Sequence, residues 1–463
     1  MDYLTSNQAD QFLQEHHRYF NHGQTRSVQF RLDRLKKLSD AIRRHEQNLL
    51  SALYKDLRKN EFEAYTTEIG YTLNSIRHTM KHLRKWAKPQ KVKTPFYHIG
   101  SRGYMYKEPY GTVLIIGPFN YPFQLLIEPL IGAIAAGNCA VLKPSENTPT
   151  VAAAVKTLIQ ETFDEDYIRV IEGERETTSV LIHASFDYIF FTGSVPVGRI
   201  VMEAAAKNLV PVTLELGGKS PVLVDRTADI DSAAKRIMWG KLINTGQTCI
   251  APDYVLAHTE IKAELIEKMK MAITSFYGAN ARQSSDYGRI VNERQFDRLA
   301  AILEKDQANV LFGGQTLRED LYIEPTLLDA VSWSDAAMQD EIFGPILPIM
   351  GYEQLDEAIE MVISRPKPLG LYLFTKDQSV ENEVLTRISF GGGCINDTIT
   401  HVANPNLPFG GVGEAGIGAY HGKYSFDLFS HTKSIMKKNT NFDMKILFPP
   451  YKDNLKWIRK VLR

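Results

Sequence analysis

Cys249 stands in the run NTGQTCIAP (Asn244 to Pro252), and Glu215 stands earlier in TLELGGKSP (Thr213 to Pro221). A free thiol is only a few per cent thiolate near neutral pH, yet that fraction is a strong nucleophile, and a nearby carboxylate can activate water. The pair suggests covalent catalysis followed by hydrolysis. Taken singly, each residue has a plainer reading, the cysteine as a small buried hydrophobe and the glutamate as a solvated strand end. Neither is alone here. Both lie in glycine-punctuated segments, where backbone can pass close to a ligand, and a strand-and-helix series precedes them.

Other segments could serve the same chemistry. FTGSVPVG (Phe191 to Gly198) places glycines at a strand end and a helix start, where unpaired N–H groups and the helix dipole favour phosphate. It is not the GxGxxG fingerprint, and a simple helix cap reads equally well. LKPSENTP (Leu142 to Pro149) offers Lys143 and Glu146, either polar groups for a ribose or a charged surface loop. In PFNYP (Pro118 to Pro122) the Asn120 amide could donate to an oxyanion, although a turn-forming asparagine is the reading favoured by that segment alone. EIFGPILP (Glu341 to Pro348) reads as a turn entering a strand, and LPFGGVG (Leu407 to Gly413) as a glycine loop.

With ELGGK around Glu215 and GQTC around Cys249, the chain resembles the aldehyde dehydrogenase superfamily, and TGQTCIAPDY looks most like its class 3 branch. The resemblance runs from about Val28 to Lys438, with the motifs in family order. A single cysteine in the GQTC run and PPY (Pro449 to Tyr451) near the end also favour class 3. It implies an aldehyde dehydrogenase-like α/β fold: a Rossmann-like parallel-sheet cofactor domain, a second α/β catalytic domain and a small bridging, oligomerising element. It also assigns roles. Cys249 is the nucleophile, Glu215 the water-activating base, and Asn120 forms the oxyanion hole with the Cys249 N–H. Lys143 and Glu146 contact the adenosine ribose, and Gly193, Ser194 and Gly198 carry the dinucleotide turn. Glu341 and Phe343 hold the nicotinamide ribose and ring, while Tyr121 and Phe409 face the aldehyde. NAD is the expected cofactor. A carboxylate at Glu146 disfavours a 2′-phosphate, but class 3 relatives accept both cofactors, which keeps NADP open. Class 3 relatives are commonly homodimers, with Arg102 to Tyr110 and the segment near His431 to Lys438 bridging subunits.

The elements that must position these residues are legible in outline. Apolar residues at helical spacing (Val28, Leu32, Leu35, Leu38, Ile42, and later Ile69, Leu73, Ile76, Met80, Leu83) predict amphipathic helices packed on a sheet. Five β-rich runs, TVLIIG (Thr112 to Gly117), CAVLK (Cys139 to Lys143), IRVIEG (Ile168 to Gly173), YIFFTG (Tyr188 to Gly193) and VPVTLELG (Val210 to Gly217), alternate with helices. Thr148 before Pro149 and Ser194 read as N-caps, and Gly137 as a helix stop. The pattern predicts a doubly wound α/β domain with its ligand at the carboxyl ends of the strands. A second series follows Gly218: helical Asp229 to Ile243, strand YVLAH (Tyr254 to His258), helical Ile261 to Phe276 and Asn292 to Glu304, and strand-like GLYLFTKD (Gly370 to Asp377). The expected division is residues 1–90 and 105–216 for cofactor binding, 217–424 for catalysis, 91–104 and 425–440 for bridging, and 441–463 as a tail.

Composition removes several classes. The chain has 463 residues, 44% apolar and 23% charged, which is ordinary globular protein with room for two or three domains. Lys plus Arg and Asp plus Glu both number 54, so no long-range field recommends a nucleic acid. Cys139, Cys249 and Cys394 are too few and scattered for a disulfide framework, and no Cys/His cluster has metal-ligand spacing. Cys139 and Cys394 are given no catalytic role. Tyr121 to Leu142, the most apolar stretch, is interrupted by Glu128, Pro129 and Asn138, so neither a membrane span nor an export signal is visible and a cytoplasmic location is expected. In the tail, Leu455, Ile458 and Leu462 share a helical face away from Lys456, Arg459, Lys460 and Arg463. That face either packs on protein or makes weak peripheral contact with an anionic membrane, packing being favoured.

The expected reaction is NAD(P)-dependent oxidation of an aldehyde, medium to long aliphatic or aromatic, through a cysteine thiohemiacetal and thioester. Three alternatives are a CoA-acylating dehydrogenase, a cofactor-free thiol esterase or hydrolase, and a non-catalytic protein that kept the fold. Glu215 argues against the first, the absence of a recognisable histidine dyad against the second, and intact Cys249, Glu215 and Asn120 against the third.

Overall fold

The computed structural model describes residues 4–441 and 444–461 of the chain. Its first sheet has six strands in the order Gly416–Ile417, Val212–Glu215, Tyr188–Thr192, Thr112–Ile116, Cys139–Lys143 and Ile168–Val170. The last five are parallel to one another, and Gly416–Ile417 is antiparallel to Val212–Glu215. Every position of Thr112–Ile116, Cys139–Lys143 and Tyr188–Thr192 is buried. That explains why these runs read as continuously apolar instead of alternating: helices cover both faces of a parallel sheet. Successive connections run one way from Thr112–Ile116 to Ile168–Val170 and the other way to Val212–Glu215, which opens a crevice at the carboxyl ends.

The second sheet has seven strands: Val310–Phe312, Thr326–Leu328, Ile346–Tyr352, Tyr254–His258, Pro221–Val224, Gly370–Phe374 and Gly392–Ile395. All neighbours are parallel except the first pair. One buried cluster joins the two sheets, running from Val113 and Phe190 in the first to Val222 and Val255 in the second. A third sheet, antiparallel, has Ser101–Pro109 between Gln90–Val92 and Ser430–Lys438. Ser101–Pro109 runs unbroken across residue 105.

Local signals acted partly as expected. Gly137 adopts φ +98° and stops the wholly buried helix Gln124–Ala136. Thr148 and Ser194 do precede the helices Pro149–Thr162 and Val195–Lys207, but neither side chain makes a capping bond. Instead Asp56 Oδ2, from the helix Glu46–Leu57, accepts the Val151 N–H at 2.9 Å, and the Thr148 hydroxyl is buried without a partner. Sequence spacing could not foresee a cap supplied from so far along the chain. The tail forms the helix Leu455–Val461 with Leu455 and Trp457 exposed. Leu462 and Arg463 lie outside the described residues. Among those described, no helix is long and apolar enough to cross a membrane.

Candidate active site

Cys249 follows a turn of unusual backbone. Asn244 (φ +50°), Thr245 (φ +56°) and Gly246 (φ +77°) are consecutive left-handed residues, and strain of about 1–3 kcal/mol for each non-glycine persists only where the surroundings over-determine it. They do so here. The Asn244 N–H donates to Glu63 Oε1 at 2.8 Å, and Asn244 Nδ2 to the Asn120 carbonyl at 2.7 Å and the Gln247 carbonyl at 3.1 Å. Gln247 Nε2 donates back to the Asn244 carbonyl and to that of Arg289, while its Oε1 takes the Val291 N–H. Gly246 is required at its place, since a Cβ there would sit 2.3 Å from the Gly344 carbonyl oxygen. The turn therefore presents Cys249 from a rigid frame. Burial pushes the thiol up, and the carboxyls of Glu341 and then Glu215 push it further, while the Cys249 and Ile250 amides pull the other way.

Glu215 ends its strand beside Gly416 and is 3% exposed. Neither carboxyl oxygen has a hydrogen-bond partner among the described residues, and burial holds its pKa well above the usual carboxylate range. A buried carboxyl with no partner costs stability and is uncommon outside functional sites.

Asn120 lies at the carboxyl end of Thr112–Ile116 and is 2% exposed. Its backbone carbonyl accepts from Asn244 Nδ2 and from Lys59 Nζ, the latter at 3.2 Å. Next to it, the Tyr121 hydroxyl shares a 2.7 Å hydrogen bond with Thr248 Oγ1, one residue before the thiol. The Asn244 amide and the Tyr121–Thr248 bond thus tie the Asn120 loop to the segment that carries Cys249. The lysine and two acids behind them, Lys59, Glu63 and Glu68, were not singled out in the sequence. The available signal was Glu68, which shares the core-facing stripe of Ala64 and Thr72 and is fully buried.

The candidate cofactor residues also lie at strand ends. Lys143 Nζ, almost wholly buried, is 2.7 Å from Glu146 Oε2, and this ion pair holds the Glu146 carboxyl below its ordinary value against the effect of burial. Gly193 closes the strand Tyr188–Thr192 onto the Glu215 carbonyl. Ser194 is exposed at the N-terminus of Val195–Lys207 with its hydroxyl free of a cap bond, and Gly198 packs so closely on Leu216 that a Cβ would sit 2.6 Å from it. An exposed helix N-terminus and a lysine–glutamate pair, at the ends of strands that flank Thr112–Ile116, fit a dinucleotide, with phosphate at the helix and hydroxyls at the pair.

In the segment before the strand Ile346–Tyr352, Arg298 donates to the Glu341 and Ile342 carbonyls, and the Ile342 N–H donates to Asp253 Oδ1. Asp253 Oδ2 in turn pairs with Lys219 Nζ at 2.5 Å. Burial, then the negative charge of Asp253, raises Glu341 to about 8. The Glu341 carboxyl rests against Gly217, where a Cβ would be 1.9 Å from Oε2, so any side chain at that point would require the Glu341 carboxyl to move. Phe343 is left-handed (φ +52°) and meets Phe119 edge-on at 5.7 Å. Buried Lys241, whose ammonium has no hydrogen-bond partner among the described residues, is lowered by burial to about 8. Phe409 is 6% exposed and stacks on His421 and His401. No group of three ligating side chains among the described residues could hold a metal ion.

The profile of the aldehyde dehydrogenase family matches residues 1–435. The chain is 57% identical to the 4,4′-diaponeurosporen-aldehyde dehydrogenase of Staphylococcus aureus over 95% of this chain and 96% of that protein. It is 46% identical to the dimeric NADP-preferring aldehyde dehydrogenase of Mus musculus over 93% and 95%. A solved structure of the substrate-bound state of a Staphylococcus aureus aldehyde dehydrogenase superposes with a TM-score of 0.97 at 55% identity, covering 98% of this chain and 99% of that one.

Proposed function

This chain belongs to the aldehyde dehydrogenase family and oxidises aldehydes with NAD or NADP, and we propose a mechanism in which Cys249 forms the covalent bond and Glu215 drives its hydrolysis. The observation that supports the reading is the Glu215 carboxyl: buried, without a hydrogen-bond partner among the described residues, and held well above the usual carboxylate range by burial. A carboxyl kept so costly in the resting state suits a base that receives its water only during turnover.

Cys249 Sγ gives up its proton to water and attacks the aldehyde carbonyl as the thiolate. The Asn120 amide and the Cys249 N–H stabilise the oxyanion of the thiohemiacetal; one such donor is worth about 3 kcal/mol. The bound nicotinamide supplies a two-electron oxidant that accepts hydride. Lys143, Glu146, Gly193, Ser194 and Gly198 would hold the adenosine and phosphates, with Glu341 and Phe343 at the nicotinamide end. The Cys249 thioester is then hydrolysed by water from which Glu215 takes a proton, and the carboxylic acid leaves. The Lys143–Glu146 pair supports NAD; Lys143 also leaves positive charge where a 2′-phosphate would sit.

Tyr121 and Phe409 support an apolar substrate, medium to long aliphatic or aromatic, and the polyene aldehyde named for the Staphylococcus aureus relative falls in that class. Among the described residues no strand pairs with the outer edge of Ser430–Lys438, and Ile435 and Met436 are exposed there, which supports a homodimer built across the third sheet. A thiol hydrolase is disfavoured: Cys249 has no histidine bond among the described residues, whereas Cys394 lies 3.5 Å from His401 Nδ1. Glu215 likewise disfavours CoA-dependent acylation.

The test follows reduced-cofactor absorbance with NAD or NADP over aldehydes from acetaldehyde to long-chain and aromatic ones, with Cys249→Ala as control. Cysteine-dependent reduction without CoA, strongest for apolar aldehydes, is expected. Reduction that requires CoA, or that survives Cys249→Ala, overturns the mechanism.

A further inference from the structure

We propose that Lys59 is a positioning residue of the oxyanion hole, setting the Asn120 amide through its backbone carbonyl; this rests on the reading of Asn120 as oxyanion donor given above. The Lys59 side chain is fully buried. Its ammonium is 2.5 Å from Glu68 Oε1, 3.2 Å from the Asn120 carbonyl oxygen and 4.2 Å from the centre of the Tyr121 ring. All three contacts are to the loop behind the thiol or to the acid that secures it. Glu68 Oε2 accepts the Phe123 and Gln124 N–H groups at 2.9 and 3.2 Å, where the buried helix Gln124–Ala136 begins. One ion pair therefore grips the loop at a carbonyl and at two amides.

The grip reaches the nucleophile as well. The Asn120 carbonyl has two acceptor positions, filled by Lys59 from one side and Asn244 Nδ2 from the other. Asn244 opens the strained turn before Cys249, and its own N–H is held by Glu63. Lys59, Glu63 and Glu68 come from one short stretch of chain that includes the π-helical turn Tyr65–Ile69, a distortion common at functional sites. That turn places Glu68 inward, on Lys59, while Glu63 reaches the nucleophile turn. The segment touches no reacting atom, yet both halves of the centre hang from it through the Asn120 peptide. Misplacing a donor by about 1 Å can cost about a hundredfold in rate, so an amide left to swing is a kinetic defect before it is a structural one.

A double-mutant cycle separates positioning from plain packing. Wild type, Asn120→Ala, Lys59→Met and the double variant are compared by single-turnover formation of reduced cofactor, with melting temperature and cofactor affinity measured alongside. The Asn120→Ala change is expected to slow hydride transfer by about 10²–10³. Lys59→Met is expected to slow it about tenfold or more, with cofactor affinity unchanged, and to cost less than about twofold once Asn120 is alanine. Multiplying effects in the cycle, or a Lys59→Met rate equal to wild type, overturn the inference and leave the oxyanion reading standing. An unchanged Asn120→Ala rate overturns both. Because Lys59→Met strands the Glu68 charge, Lys59→Met with Glu68→Gln serves as the second variant, keeping an acceptor for the two amides; if neither variant folds, the role is structural and the inference is overturned.

Discussion

At the scale of single residues, Glu215 is a buried carboxyl whose burial carries a pH-dependent cost in stability. Its folded pKa lies above its unfolded value, so between the two the folded state holds a proton that the unfolded state has lost. Stability then falls as pH rises through that window. Replacing Glu215 with Gln removes this cost, and the variant is predicted to melt higher than wild type by on the order of 2 °C at pH 8, with the gap closing towards pH 4. Calorimetry at the two pH values checks the sign; equal melting curves at pH 8 would show that the carboxyl is not strained in place. The same raised pKa values of Glu215 and Cys249 predict that turnover climbs on the alkaline side, because both groups act deprotonated. A pH–rate profile that is flat from pH 7 to 9 would contradict this.

At the scale of elements, the parallel strands were legible because their burial on both faces leaves continuous apolar runs, and the site segments because each is a short polar or glycine phrase at a strand end. The Asn120 loop and the Cys249 segment do meet, through Asn244 and through the Tyr121–Thr248 bond. What escaped was contact between distant elements: Asp56 capping the helix at Val151, and Lys59, Glu63 and Glu68 behind the reacting loops. Helical periodicity marks Glu68 as inward-facing but does not say which loop it meets. Two predictions belong to this scale. Gly246→Ala is expected to cost activity far more than cofactor affinity, since the clash with Gly344 displaces the nucleophile turn; titration of cofactor binding beside turnover checks it. Glu63→Ala, which frees the Asn244 N–H, is expected to lower the rate of Cys249 alkylation by a small electrophile several-fold, as the turn loses its strained form. An alkylation rate equal to wild type would show the turn holds without Glu63.

For the whole molecule, the two larger sheets share one buried core, and among the described residues no strand pairs with the outer edge of Ser430–Lys438 in the third sheet. The proposed dimer depends on that edge. Ile435→Lys with Met436→Pro is expected to shift the sedimentation coefficient from dimer to monomer, and a wild-type value would place the contact elsewhere. The central claim, however, concerns the order of events in the cleft, and stopped-flow absorbance of reduced cofactor tests it most directly. Mixed with saturating aldehyde and cofactor, Glu215→Gln is predicted to give a burst approaching one reduced cofactor per active site, followed by turnover slowed by about 10² or more, because acylation proceeds and hydrolysis of the Cys249 thioester does not. Unchanged steady-state turnover, with the burst lost, would contradict the assignment of Glu215 as the deacylating base.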